Sequence, residues 1–228
     1  MPGPVGDPPL PRDVPSESIR AHFRGTTTEE EPMPAANPDL IVWIDTETTG
    51  LDPATDDLLE IAVVVTRNDL TEIGAFDTVI APSPDVDATI ERMNDFVREM
   101  HTANGLIDAM HGPDAHDPRV ADQLVAGAID RFTVGHAGPF LLGGNSITHD
   151  RGFLARHAPQ TFSRLHYRSI DASGIEQEML RDGYDRQITA WRDRFEPSEA
   201  HRALGDIRDS IRQLDALRSI RRVRPLVP

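Results

Sequence analysis

Five consecutive apolar residues, Leu40 to Ile44, run without a break into Asp45-Thr46-Glu47, and no other stretch restricts the fold of this chain as much. An apolar run of that length reads as a buried strand. Side chains alternate along a strand, so Asp45 and Glu47, two residues apart, project from one face. Carboxylates held side by side raise each other's energy unless a cation lies between them. A single Asp-x-Glu triplet also fits a polar strand end entering a turn, with Thr48, Thr49 and Gly50 supplying the turn chemistry. A metal site requires further acids to converge on the same place.

The periodicities after this strand change in an ordered way. Leu58 to Thr66 (LLEIAVVVT) and Ile73 to Ile80 (IGAFDTVI) read as strands joined by a hairpin loop. Val120, Leu124, Val125, Ala128, Ile129 and Phe132 recur at helical spacing behind Asp117 and Pro118, a suitable N-cap and first helical residue. PFLLGG reads as a short buried strand, HDRGFLARHAP opens a helix, and HYRSID reads as a last strand. Ala203, Ile207, Ile211, Leu214 and Leu217 mark a long final amphipathic helix. This order predicts an α/β domain built on a mixed sheet.

With 228 residues, of which 38% are hydrophobic, the chain fits one domain of about 190 residues plus a tail. Residues 1–37 are rich in proline and poor in large apolar groups, a composition expected to stay disordered. The domain is expected over 38–222, with 223–228 a frayed C-terminus. A net charge of -15 argues against a broad basic surface that tracks a long nucleic-acid backbone, so a phosphate-containing ligand is expected to be short and locally gripped. The absence of cysteine excludes disulfides and thiolate metal ligands. No apolar run approaches the roughly 18 residues of a membrane span, and the N-terminus lacks a signal-peptide pattern; a soluble, cytoplasmic protein is expected.

In α/β sheets, ligands sit outside the carboxyl ends of the strands. Asp45 and Glu47 end the first strand, Asp150 follows the fourth, and Asp206 lies in the first turns of the final helix. His201 precedes Asp206 by five residues, about 140° apart on a continuous helix, so it is expected on a loop before the helix, turned toward the same site. Each of these residues has an ordinary alternative, such as a helix-dipole charge for Asp150 or a solvated position for Asp206. Their convergence at matching topological points favours a shared site.

Asp45-x-Glu47, Asp150, and His201 with Asp206 five later resemble the DEDDh exonucleases, whose fold is the ribonuclease-H-like mixed five-stranded sheet flanked by helices. Within that superfamily the resemblance is to oligoribonuclease, spans roughly residues 39–220, and rests on IDTETTGLDP, LLEIAVVVT, MHTANGL, GNSITHDRGFL, LHYRSIDAS and HRALGDIRDSI. It implies two divalent cations, Mg or Mn, with Asp45 bridging them, Glu47 and Asp206 completing one, and Asp150 holding the other directly or through water. It implies His201 as general base, suited to that task by an ordinary pKa of about 6.5.

The reaction so implied is 3′-to-5′ hydrolysis of short oligoribonucleotides, dinucleotides especially, to nucleoside 5′-monophosphates. The resemblance matches Leu51 to a wedge against the bases, and His101, Ser146, Arg168 and Ser173 to groups holding the 5′ phosphate. Tyr167 matches a base-stacking residue. In the family Tyr167 and Arg168 come from the partner subunit, which implies a homodimer. Phe96 stands where many relatives carry Trp, and has two readings: a stacking ring, or a core aromatic of the MNDFVREM helix. The alternatives are a broader exonuclease acting on DNA or RNA ends, which the DTETTG spelling favours, and a non-catalytic RNA-binding protein, which the full acidic set disfavours.

Overall fold

The computed structural model describes residues 35–82, 85–198 and 202–223. The expected tail and the frayed C-terminus fall almost wholly outside these residues, as does His201. Asn37, assigned by composition to the tail, is integrated in the fold. Its side-chain oxygen accepts the N–H groups of Asp39 and Leu40, its side-chain amide donates to the Ala137 carbonyl, and its backbone N–H donates to that of Pro139.

Among the described residues, five strands form one sheet in the order β3-β2-β1-β4-β5. They are β1 (Leu40–Thr48), β2 (Leu58–Arg67), β3 (Glu72–Val79), β4 (Phe140–Gly144) and β5 (Leu165–Asp171). The pairs β1–β2 and β2–β3 are antiparallel, whereas β1–β4 and β4–β5 are parallel. The sheet is therefore mixed and five-stranded, flanked by helices, as expected. The apolar run that opens β1 lies at its centre, and Leu40 to Ile44 are all buried.

The helices are α1 (Val86–Arg92), α2 (Asp95–Ala103), α3 (Leu106–Met110), α4 (Pro118–Phe132), α5 (Thr148–His157), α6 (Pro159–Phe162), α7 (Ala172–Arg181), α8 (Asp185–Arg192) and α9 (Ala203–Arg222). Asp117 caps α4 by accepting the Arg119 N–H, with Pro118 behind it, as the sequence predicts. Asn94 splits the segment from 86 to 103, because its side-chain oxygen accepts the Val97 N–H and starts α2 afresh.

Alternation along β1 sends its residues to two separate cores. Leu40, Val42 and Ile44 pack with Val125 and Ile129 of α4 and with Phe153 and Leu154 of α5. Ile41 and Trp43 pack on the other face with Ala203, Ile207 and Leu214 of α9. Full burial of each such aliphatic side chain contributes about 1.5–3 kcal/mol. The Trp43 ring is tied down by donating from Nε1 to Thr66 Oγ1 at 2.9 Å. It also dictates glycine on the adjacent strand, since a Cβ on Gly143 would lie 2.7 Å from its ring. These contacts fix how β1, β4 and α9 meet, and the acids sit at that meeting point.

Candidate active site

The two-residue period that sends Ile41 and Trp43 toward α9 sends Asp45 and Glu47 the same way. Asp206, in the first turn of α9, arrives on that face. One carboxylate oxygen from each of Asp45, Glu47 and Asp206 lies within 4.8 Å of the others. Asp150 comes from the first turn of α5, on the face to which Val42 and Ile44 point. There Thr46 donates to its Oδ1 twice, from the backbone N–H at 3.0 Å and from the hydroxyl at 2.7 Å.

Burial and crowding make these acids hold protons strongly. Burial pushes Asp45 well above the ordinary carboxylate range, and the charges of Asp150, Glu47, Asp206 and Glu60 push it further. Burial, then Glu60 and Asp206, raise Glu47 to about 8, with Arg202 opposing. Asp150 is also raised by burial, against the opposing hydrogen bond from Thr46. Converging, desolvated carboxylates with oxygen donors only suit hard divalent cations, which replace the protons and remove the repulsion. Asp45, Glu47, Asp206 and Asp150 therefore fit as metal ligands.

Beside Glu47 opens a cleft of about 540 Å³, lined in part by Thr48, Leu51, Phe96, Met100 and His149. Leu51 and Phe96 are 86% and 75% exposed, which excludes the core reading of Phe96 and places both on the cleft. His101, five residues further along α2, is fully buried. Its Nε2–H donates to the Thr48 carbonyl at 3.1 Å, and its Nδ1, without a hydrogen-bond partner, lies 3.9 Å from Glu47 Oε2. Burial holds its pKa below the ordinary imidazole value. The structure thus sets the His101 ring against Glu47 and the end of β1.

Those serines do meet. Ser146, in the left-handed backbone region at φ 52°, has its Oγ 3.4 Å from Ser173 Oγ. Asp171 organises both, accepting from the N–H groups of Ser146, Ile147 and Gly174 and from the Ser173 hydroxyl. Burial would raise the Asp171 carboxyl, but these bonds outweigh it and hold the group below the usual range.

Tyr167 and Arg168 are both exposed on β5, the edge strand. Register slips there, with Phe140 opposite Leu165 but Leu142 opposite Ser169, so His166, Tyr167 and Arg168 form a bulge. The Arg168 guanidinium lies 5.1 Å from the centre of the Tyr167 ring.

Sequence reasoning passed over three residues that shape the site. Thr46 carries no signal beyond its place between two acids. Glu60 lies in the LLEIAVVVT strand, and an acid inside an apolar run is a signal in itself. Arg202, next to His201, has no local pattern that marks it.

The family model described as Exonuclease matches residues 42–214. The chain is 40% identical over 185 residues to an oligoribonuclease of Leifsonia xyli subsp. xyli, covering 81% of this chain and 84% of that one. It is 42% identical over 190 residues to an oligoribonuclease of Mycobacterium sp. (strain KMS), covering 83% and 85%. Among solved structures, exonuclease I from Methylocaldum szegediense superposes with a TM-score of 0.53 at 16% identity, covering 79% of this chain and 40% of the other. The zinc-bound E. coli ExoI–ssDNA complex gives 0.54 at 18%, covering 81% and 41%. This chain spans about two-fifths of those longer chains, and the likeness concerns the fold alone. The match along most of the sequence shows that the chain belongs to the oligoribonuclease family of exonucleases.

Proposed function

We propose that this 3′-to-5′ exoribonuclease degrades short oligoribonucleotides, dinucleotides above all, to nucleoside 5′-monophosphates, using two divalent cations, Mg or Mn. The observation that carries the reading is the convergence of Asp45, Glu47 and Asp206 within 4.8 Å beside a cleft walled by the exposed Leu51 and Phe96. Two such cations supply charge stabilisation at the attacking and leaving oxygens of the phosphodiester.

The chain's own residues do the rest. Asp45, Glu47, Asp206 and Asp150 would hold the cations, and Asp45 is the acid that feels the charge of each of the other three. His201 accepts the proton of the attacking water at a ring nitrogen. Leu51 wedges between bases and Phe96 stacks on one. Ser146 and Ser173, held together by Asp171, donate to a 5′-terminal phosphate.

Tyr167 and Arg168 act in trans. Their place on a solvent-facing bulge of the edge strand supports delivery to a second copy of the chain, so the active form is a homodimer. Arg168 then reaches the phosphate and Tyr167 the base. A terminal phosphate gripped at fixed distance from the acids sets length: a dinucleotide makes every contact, and a longer RNA must displace the terminal phosphate with an internal one.

The test is hydrolysis of 5′-phosphorylated RNAs of two to ten nucleotides, with DNA counterparts, in Mg or Mn. The dinucleotide is expected to turn over fastest and to yield 5′-monophosphates. Equal turnover at every length, or of DNA and RNA alike, points instead to a broader exonuclease.

A further inference from the structure

Glu60 sits inside β2 among apolar neighbours and is 1% exposed. A carboxylate there is costly unless it is paired and hydrogen-bonded. Its partner comes from the far end of the chain. Arg202 Nε donates to the two carboxylate oxygens at 3.1 and 2.9 Å, and Nη2 donates to Oε1 at 2.5 Å. Glu60 Oε2 also accepts the backbone N–H of Ala203 at 3.3 Å.

Ala203 is the first residue of α9, and the N-cap residue, Arg202, places no side-chain cap of its own on that helix. Glu60 therefore caps α9 from a strand, putting an anion where unsatisfied N–H groups and the helix dipole favour one. The same carboxylate stands directly across the β1–β2 ladder from Glu47. Asp206 follows in the first turn of α9, and His201 immediately precedes Arg202.

A second anchor lies on the other side of His201 in sequence. Ser198 donates its N–H and hydroxyl to Asp209 of α9 at 2.8 and 3.0 Å. Ser198 and Arg202 are thus each tied by side-chain carboxylates.

We propose that Glu60 and Arg202 form a positioning clamp that locks the start of α9 to β2 opposite Glu47, setting Asp206 against Asp45 and Glu47. Stability alone does not account for the pair. An apolar pair of similar volume generally serves a buried contact at least as well, and Glu60 adds a negative charge next to acids that already repel one another. Directional bonds, unlike apolar packing, fix the helix start in both rotation and translation. The catalytic part of this inference rests on the proposed function, while the mechanical part stands on the geometry.

The experiment compares full-length wild type, Arg202→Ala, Arg202→Lys and Glu60→Gln. It measures melting temperature, Mn2+ affinity by calorimetry, amide exchange at residues 203–206, and kcat and KM on a 5′-phosphorylated dinucleotide. In Arg202→Ala, kcat is expected to fall about 10²-fold, the cost of an ångström-scale misplacement, with KM nearly unchanged. Mn2+ affinity should fall and exchange at 203–206 accelerate. Arg202→Lys should recover most of each loss, and Glu60→Gln, which keeps an oxygen for Ala203 but no charge, should lie between. If Arg202→Ala does not fold, the two conservative variants report the same quantities.

A lower melting temperature with kcat, Mn2+ affinity and exchange intact in the folded variants would reduce the pair to a structural contact and overturn the clamp. So would a loss confined to KM. If wild type leaves the dinucleotide intact while Arg202→Ala still weakens Mn2+ binding and loosens 203–206, the proposed function fails and the clamp stands.

Discussion

Thr46 donates both its backbone N–H and its hydroxyl to a single oxygen of Asp150, Oδ1, at 3.0 and 2.7 Å. The pair joins the central strand to α5 and leaves Oδ2 of Asp150 for another partner. Because Thr46 sits between Asp45 and Glu47, one tripeptide offers two acids on one face and steers a third from the other. Thr46→Val keeps the shape and the backbone donor but removes the hydroxyl. A hydrogen bond to a charged group is worth about 1.5–3 kcal/mol, so turnover should fall roughly tenfold or more. Steady-state kinetics at saturating Mg2+ checks this, with melting temperature as the control for fold.

Glu47 gives a pH signature to the metal-free protein. Its carboxyl is raised from 4.5 to about 8, first by burial and then by Glu60 and Asp206. The folded state therefore binds a proton that the unfolded state has released. Its contribution to stability is fully present below pH 4.5 and is lost as pH rises through about 8. Melting temperature in EDTA is expected to decline across that window. Saturating Mg2+ takes the proton's place and should flatten the decline or reverse it.

Phe96 is 75% exposed, so truncating it should cost little stability and much binding. Stacking on a base is worth about 1–3 kcal/mol, which places Phe96→Ala about one to two powers of ten weaker for a dinucleotide. Phe96→Trp, with a larger ring, should bind more tightly than wild type. Affinity titrations with the three proteins test the order; a Phe96→Ala protein that binds as wild type does would remove the ring from the substrate site.

Arg168→Ala should weaken dinucleotide binding by about one to two powers of ten, since a single charge-assisted contact is lost. Its effect on a heptanucleotide and on Mn2+ binding should be small. Light scattering on the same samples reports the mass. A monomer that binds both lengths equally contradicts delivery of Arg168 by a second copy.

The order of elements was legible because apolar periodicity reports burial, and burial defines β1, β2, α4 and α9 here. The acids were legible because a strand's two-residue period and the topological rule place charges without coordinates. What stayed hidden depends on side-chain direction across long sequence distances. Glu60 meets Arg202 across 142 positions, and nothing local in LLEIAVVVT reveals that partner. Phe96, expected at a base or in the core, and His101, expected at the 5′ phosphate, both lie on one short helix. Their five-residue spacing turns them about 140° apart on α2, so the cleft receives Phe96 while the ring of His101 is buried behind Glu47. The bulge that turns Tyr167 and Arg168 outward is likewise a matter of register between β4 and β5, which HYRSID alone does not encode.

The central claim is that Asp45, Glu47, Asp150 and Asp206 form one metal-binding centre that performs the hydrolysis. Calorimetric titration of Mn2+ into wild type and Asp45→Asn, paired with single-turnover cleavage of a 5′-phosphorylated dinucleotide, tests it most directly. Wild type is expected to bind two equivalents. Asp45→Asn, folded by circular dichroism, should lose tight binding and cleavage together, because Asp45 feels the charge of each of the other three acids. A folded Asp45→Asn protein that cleaves at the wild-type rate, or wild-type cleavage that persists in excess EDTA, would contradict the account.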